Sequence, residues 1–105
     1  MESQGPLRGV RVLEFAGIGP CPMAGMLLAE MGADVVRIDR MRPPTDLGVG
    51  SKQRFTDRSR RSIAIDLKAP GANDLVLELV AKADALLEGF RPGVMERLGL
   101  GPDVC

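Results

Sequence analysis

The sequence predicts an α/β fold with an open parallel sheet, because short β-rich runs alternate with helical segments and the joints between them are short. Its 105 residues are enough for one small domain with a single core. A content of 45% hydrophobic and 27% charged residues is typical of a globular protein. The composition therefore argues against a disordered, collagen-like or membrane-spanning chain.

The first predicted unit is a strand, a helix and a second strand. A β-rich run at 10–15 leads into the glycine-rich segment 16–20, as expected of a strand that enters a tight loop. Residues 22–31 are apolar on nearly every face, which predicts a helix covered on more than one side and ended by Gly32. A second strand at 35–39 completes a right-handed, parallel βαβ unit.

A long basic loop separates this unit from a second one. Residues 41–61 carry six Arg or Lys residues against two aspartates, and loops of this length tend to be functional lids or binding segments. Beyond the loop, 62–67 predicts a third strand and 70–83 a helix with one apolar stripe. A fourth strand at 85–88 and a short helix at 94–98 follow.

The charge balance and the absence of histidine limit the chemistry that the chain can carry. Lys plus Arg equals Asp plus Glu, at 14 each, so no net charge draws the chain to nucleic acid or an anionic membrane. Without histidine the chain lacks the commonest acid–base group and metal ligand. Cys21 and Cys105 form no CxxC motif, which predicts neither a metal site nor a disulfide framework and favours a reduced, cytoplasmic setting.

Several cations should meet at the carboxyl edge of the predicted sheet, where open α/β folds bind ligands. The amides of 17–19 would lie there at a helix start, with a basic residue after each later strand: Arg40, Lys68, and Arg91 with Arg97. Amides and fixed cations favour a polyphosphate, because each phosphate oxygen exchanges water for a charge-assisted hydrogen bond. We therefore predict a nucleotide-type ligand, although each cation taken alone is more simply a solvated surface residue.

The segment that follows the first strand partly matches the dinucleotide-binding fingerprint. Gly17 and Gly19, with Asp39 about 20 residues further on, fit the pattern, but Pro22 occupies the third glycine position. Arg40 directly after Asp39 favours a phosphorylated adenosine over the bare ribose of NAD. The alternatives are a tight turn for the glycines and a cap for Asp39.

Five ordered blocks of sequence carry a more specific signal, at 12–22, 27–40, 61–68, 82–93 and 95–102. Together they resemble the N-terminal portion of the family III CoA-transferases, the CaiB/BaiF family. Segment 17–20 is most similar to the branch that racemises 2-methylacyl-CoA thioesters. The resemblance covers nearly the whole chain.

The resemblance implies a Rossmann-like large domain within a longer protein that forms an interlocked homodimer. Residues 1–105 would be the N-terminal, CoA-binding part of that domain, with 41–61 as a basic loop. A helix start at 101–103 also predicts that the protein continues. The substrate would be an acyl-CoA, with no cofactor beyond its CoA moiety, no nucleic acid partner and no membrane span.

The resemblance also implies which residues contact CoA. They follow the length of the ligand: Ile18, Gly19 and Pro20 at the groove wall; Arg40 and Lys68 at the nucleotide phosphates; Ile65 and Leu67 at the adenine; Gly89 and Phe90 at the pantetheine arm; Arg91 and Arg97 at the pyrophosphate. For the two aliphatic residues beside the adenine, core packing is the simpler role.

Racemisation in this family moves a proton off and back onto the carbon α to the thioester, through an enolate, with a histidine and an aspartate. Both lie beyond this sequence in the family's pattern, so the chain alone is expected to be inactive. The leading function is the N-terminal CoA-binding part of a 2-methylacyl-CoA racemase. The alternatives are a CoA-transferase that moves CoA between carboxylic acids, and a non-catalytic CoA- or nucleotide-binding module or gene remnant.

Overall fold

A computed structural model describes residues 5–17, 20–39 and 60–105. Within these ranges the chain forms β1 (Arg11–Phe15), α1 (Pro20–Glu30), β2 (Asp34–Asp39), β3 (Arg61–Ala64), α2 (Ala72–Ala81), β4 (Ala85–Leu87) and α3 (Val94–Arg97). The four strands form one sheet in the order β3-β2-β1-β4, and every neighbouring pair is parallel. The predicted α/β fold with an open parallel sheet and flanking helices is confirmed.

The two longer helices lie on opposite faces of the sheet. On one face, Ala72 and Val76 of α2 join the larger hydrophobic core. On the other face, Leu28 and Ala29 of α1 pack against a smaller cluster around Val35. Since α1 connects β1 to β2 and α2 connects β3 to β4, the winding reverses between β1 and β4. This is the topological switch point, where open α/β sheets bind ligands.

The larger core explains why these strands form where they do. Alternate residues of β1 and β2 point to the α2 face, where they meet that helix and the residues that follow α3. The buried members of this core are Leu13, Phe15, Ile38, Ile65, Ala72, Val76, Met95 and Leu100. Burying such side chains contributes about 1.5 to 3 kcal/mol each, so this face supplies most of the apolar stabilisation.

Among the element boundaries that differ from the sequence prediction, two have a clear local reason. The third strand ends at Ala64 rather than at 67, because the chain turns at Asp66, whose carboxylate accepts the backbone N–H of Lys68 at 3.1 Å. The second long helix begins at Ala72 rather than at 70, because Gly71 has a φ of 82° and cannot be part of the helix.

The outer face of α1 stays exposed within this chain, and no described residue supplies the second cover that the sequence predicts for the helix. The helix buries Cys21, Pro22, Gly25 and Met26 against the sheet. Three apolar side chains on the other side remain 43%, 46% and 42% exposed, namely Met23, Leu27 and Met31. Among the described residues, α1 packs on the sheet and, through its first turn, against Gly89. No described helix is long and apolar enough to cross a membrane.

Candidate functional site

The carboxyl ends of β1 and β4 meet at the switch point. β1 ends at Phe15 and leads to α1, which begins at Pro20, while β4 ends at Leu87 and leads to Gly89 and Phe90. The rings of Phe15 and Phe90 lie edge to face, with their centroids 6.0 Å apart. This contact holds the loop after β4 against the end of β1 and forms an apolar surface at the carboxyl edge of the sheet.

The first turn of α1 touches the loop after β4. A Cβ atom added to Gly89 would lie 3.1 Å from the Cβ of Cys21, so only a residue without a side chain fits easily here. Burial raises the pKa of the Cys21 thiol, and the negative charges of Glu14 and Glu88 add to this shift. The thiol is therefore held in its neutral form and acts as a packing group between the two elements.

The predicted cations that the structure describes are exposed and lie along the carboxyl edge. Lys68 follows β3, at one side of the sheet, whereas Arg91 and Arg97 follow β4, at the other side. The side chain of Arg97 folds back on its own turn, with Nε donating to the Gly93 carbonyl oxygen at 3.3 Å. Three strand spacings separate the exits of β3 and β4, about 14 Å, which an extended nucleotide can span.

The remaining predicted contacts fall into two groups. Ile65 is 7% exposed and belongs to the larger core, and Leu67 is half-buried against it, so both have the packing role anticipated for them. Ile18, Gly19 and Arg40 lie outside the described residues, as does the predicted basic loop up to residue 59.

A buried ion pair, which the sequence reasoning missed, lies under the first turn of α1. The Arg60 guanidinium donates to the Glu14 carboxylate, and the two side chains are 1% and 0% exposed. Arg60 also donates to the carbonyl oxygen of Pro22 at 3.2 Å. Gly25 makes room for this arrangement, because a Cβ atom there would overlap the Glu14 carboxylate. A signal was present in the sequence: a glutamate amid the apolar residues of a central strand needs a partner.

A second ion pair on β2 extends this charge cluster. Glu14 and Arg37 are register partners in the parallel β1–β2 ladder and so share a face of the sheet. Arg37 Nη2 donates to Asp39 Oδ2 at 3.2 Å, and Arg37 Nε lies 3.0 Å from Asp39 Oδ1. Burial raises the pKa of Glu14, although the hydrogen bond and charge of Arg60 and the charge of Arg37 oppose the shift.

A cavity of about 480 Å³ lies elsewhere, along the outer edge of β4. Its charged lining residues, Asp84, Glu88 and Glu96, are all acidic. Acidic side chains repel phosphates, so this cavity suits a polyphosphate less well than the basic carboxyl edge does. Among the described residues, no group of acidic or cysteine side chains could hold a metal ion.

Comparison with known proteins identifies relatives of this chain. The chain is 48% identical to the α-methylacyl-CoA racemase of Mus musculus over 92% of its length. It is 41% identical to the α-methylacyl-CoA racemase of Homo sapiens over 93% of its length. It is 36% identical to the succinyl-CoA–L-malate CoA-transferase β subunit of Chloroflexus aurantiacus over 94% of the chain and 27% of that subunit. The structure of Rv3272 from Mycobacterium tuberculosis superimposes with a TM-score of 0.85 at 36% identity, over 98% of this chain and 30% of that one.

The chain spans about a quarter of the length of the two racemases, 24% of each. The family model of CoA-transferase family III matches residues 7–105, which include every element of the sheet. The resemblance seen in the sequence is thereby confirmed, and the chain belongs to CoA-transferase family III.

Proposed function

We propose that the chain is the N-terminal, CoA-binding part of a 2-methylacyl-CoA racemase. The observation that carries this proposal is the 48% identity to the α-methylacyl-CoA racemase of Mus musculus, above the 36% to 40% identity to several transferases of the family. The switch point between β1 and β4 supports it, since the basic edge there suits the phosphates of an acyl-CoA thioester.

In this proposal CoA lies across the carboxyl edge of the sheet. Lys68 meets the nucleotide phosphates, and Arg91 and Arg97 meet the pyrophosphate, where their exposed side chains exchange water for phosphate oxygens. The pantetheine arm passes Gly89 and Phe90, whose ring packs on that of Phe15 and offers an apolar surface. Ile18, Gly19, Pro20 and Arg40 complete the proposed groove, with Ile65 and Leu67 beside the adenine.

The proton transfers belong to residues outside this sequence. Removing the α-proton of a thioester and returning it from the other face requires positioned acid and base groups. The chain has no histidine, and the carboxylates of Glu14 and Asp39 are engaged by arginines. We therefore propose that residues 1–105 alone do not racemise acyl-CoA. The complete enzyme would be a cytoplasmic, interlocked homodimer that uses no cofactor beyond the CoA moiety of its substrate.

The test follows the α-proton in the natural protein that carries this sequence. The protein is incubated with one epimer of a 2-methylacyl-CoA in deuterated water, with and without a free carboxylic acid. We expect deuterium at the α-carbon, the other epimer as product and no new CoA thioester. Transfer of CoA to the added acid without α-exchange would instead identify a CoA-transferase, the alternative within this family. If neither reaction occurs but CoA binds, the chain is part of a non-catalytic CoA-binding protein.

A further inference from the structure

The Glu14–Arg60 ion pair joins three parts of the structure: β1, the first turn of α1 and the residue before β3. Glu14 lies near the carboxyl end of β1, and Arg60 directly precedes β3, 46 positions later. Through its second contact, to the Pro22 carbonyl oxygen at 3.2 Å, Arg60 also holds the first turn of α1. The adjacent residue Cys21 is the one that touches Gly89 at the switch point.

Stability alone is a weak reason for this ion pair. Both side chains are almost completely shielded from solvent, at 0% and 1% exposure. Moving two charges out of water is so costly that apolar residues of similar volume often stabilise a protein as well or better. The second carboxylate oxygen of Glu14, Oε2, is buried and has no hydrogen-bond partner among the described residues. Incomplete pairing of this kind makes the cost of burial higher.

What the ion pair supplies is a fixed position for the start of α1. Hydrogen bonds from a planar guanidinium are directional, so Arg60 fixes the Pro22 carbonyl relative to Glu14 in the rigid centre of the sheet. Apolar contacts would allow the turn to slide. Because Cys21 packs against Gly89, the placement of this turn also sets the space between α1 and the loop after β4.

We propose that Glu14 and Arg60 are positioning residues for CoA binding, which hold the first turn of α1 at the correct distance from Gly89. The inference rests on the proposed CoA function of the switch point. Neither residue contacts CoA in this account. Their effect on affinity passes through Pro22 and Cys21.

The decisive variant replaces both residues together, as Glu14→Leu with Arg60→Met, so that neither member of the pair is left buried without the other. The matched control is Asp34→Leu with Arg61→Met, which removes the neighbouring ion pair of 2.7 Å, whose side chains are 45% and 72% exposed. Although the sequence places Arg61 at the end of the basic loop, it is the first residue of β3 and lies at the amino end of that strand, away from the proposed CoA groove. In the full natural protein, urea unfolding measures the stability of each variant and titration calorimetry measures its affinity for CoA.

We expect the Glu14/Arg60 double variant to be at least as stable as the wild type and to bind CoA about tenfold more weakly. The Asp34/Arg61 control should retain its affinity for CoA. Wild-type affinity in a folded Glu14/Arg60 variant would overturn the inference while leaving the proposed function intact. A wild-type protein that binds no CoA would overturn both.

A single variant keeps the inference testable if the double variant does not fold. Arg60→Lys retains the positive charge beside Glu14, but lysine is shorter and its ammonium does not reach the position where Nη1 of Arg60 contacts both Glu14 and Pro22. We expect its CoA affinity to lie between those of the wild type and the double variant, with faster hydrogen exchange in the first turn of α1. Unchanged affinity and unchanged exchange would show that Arg60 does not position the turn.

Discussion

Gly25 of α1 lies directly over the carboxylate of Glu14, so close that a Cβ atom at this position would overlap Oε1 and crowd the Arg60 guanidinium. Glycine in the middle of a helix costs about 1 kcal/mol relative to alanine. Helix propensity therefore does not explain a glycine at this position. The close approach of α1 to the buried ion pair does, because no larger residue fits there.

Gly25→Ala should therefore destabilise the fold, although the same change in an open helix is stabilising. Overpacking a tight site costs about 1 to 3 kcal/mol, which exceeds the gain in helix propensity. Urea unfolding of the variant measures the change in the free energy of unfolding. Gly17→Ala is the matched control, because an added Cβ atom there meets nothing within 4 Å. Equal or greater stability in Gly25→Ala would contradict the described packing.

Cys21 should react slowly with iodoacetamide in the folded protein, because its side chain is buried. Burial also raises the pKa of the Cys21 thiol, so less of the reactive thiolate is present at a given pH. At pH 8 we expect Cys21 to be alkylated much more slowly in the folded protein than in denaturant. Equal rates in the two conditions would rule out its burial against the loop after β4.

Glu14 should make stability depend on pH in a defined direction. Its pKa is raised from the ordinary value of 4.5 by burial, so the folded state keeps this proton to a higher pH than the unfolded state does. The stabilisation of the folded state by this group is fully present below pH 4.5 and is lost as the pH rises through the pKa of Glu14 in the folded state.

Glu14→Gln removes this titration, so the variant should become more stable relative to the wild type as the pH rises above about 4.5. The free energy of unfolding of the variant minus that of the wild type should therefore increase with pH. Urea unfolding at a series of pH values gives this difference. Asp34→Asn, which removes an exposed carboxylate, corrects for the general effect of a lost negative charge. A difference that falls with pH would mean that Arg60 and Arg37 outweigh the effect of burial.

Arg91→Ala should weaken CoA binding by about tenfold, because a charge-assisted hydrogen bond to phosphate contributes about 1.5 to 3 kcal/mol. Titration calorimetry on the natural protein measures the loss. Arg8→Ala is the control, since Arg8 is equally exposed but precedes β1, at the opposite edge of the sheet. If both variants lose the same affinity, the effect is one of total charge and Arg91 makes no specific contact.

The parallel sheet could be predicted from the sequence because each strand is a short apolar run between glycine or proline joints. The length of the third strand could not, since Ile65 and Leu67 continue the alternating pattern while Asp66 turns the chain. The second cover predicted for α1 stays a prediction, because an apolar surface at Leu27 indicates a need for neighbours without showing which part of the protein provides them.

The Glu14–Arg60 pair lay beyond sequence reasoning for a different reason. An arginine at the end of a basic loop is typical of a solvated surface, and only the folded chain brings Arg60 next to a residue 46 positions away. The burial of this ion pair depends on Gly25, which lets α1 approach the sheet closely. The sequence does not indicate this role, because it depends on how α1 packs on the sheet.

The central claim is that CoA binds at the carboxyl edge between β1 and β4, and nuclear magnetic resonance tests it most directly. Titrating CoA into the ¹⁵N-labelled protein should shift the backbone amide signals of Gly89, Phe90 and Lys68 first. The amides of Asp84 and Leu100, which line the acidic cavity along β4, should stay unchanged. Shifts confined to those cavity residues, or no shifts at saturating CoA, would contradict the account.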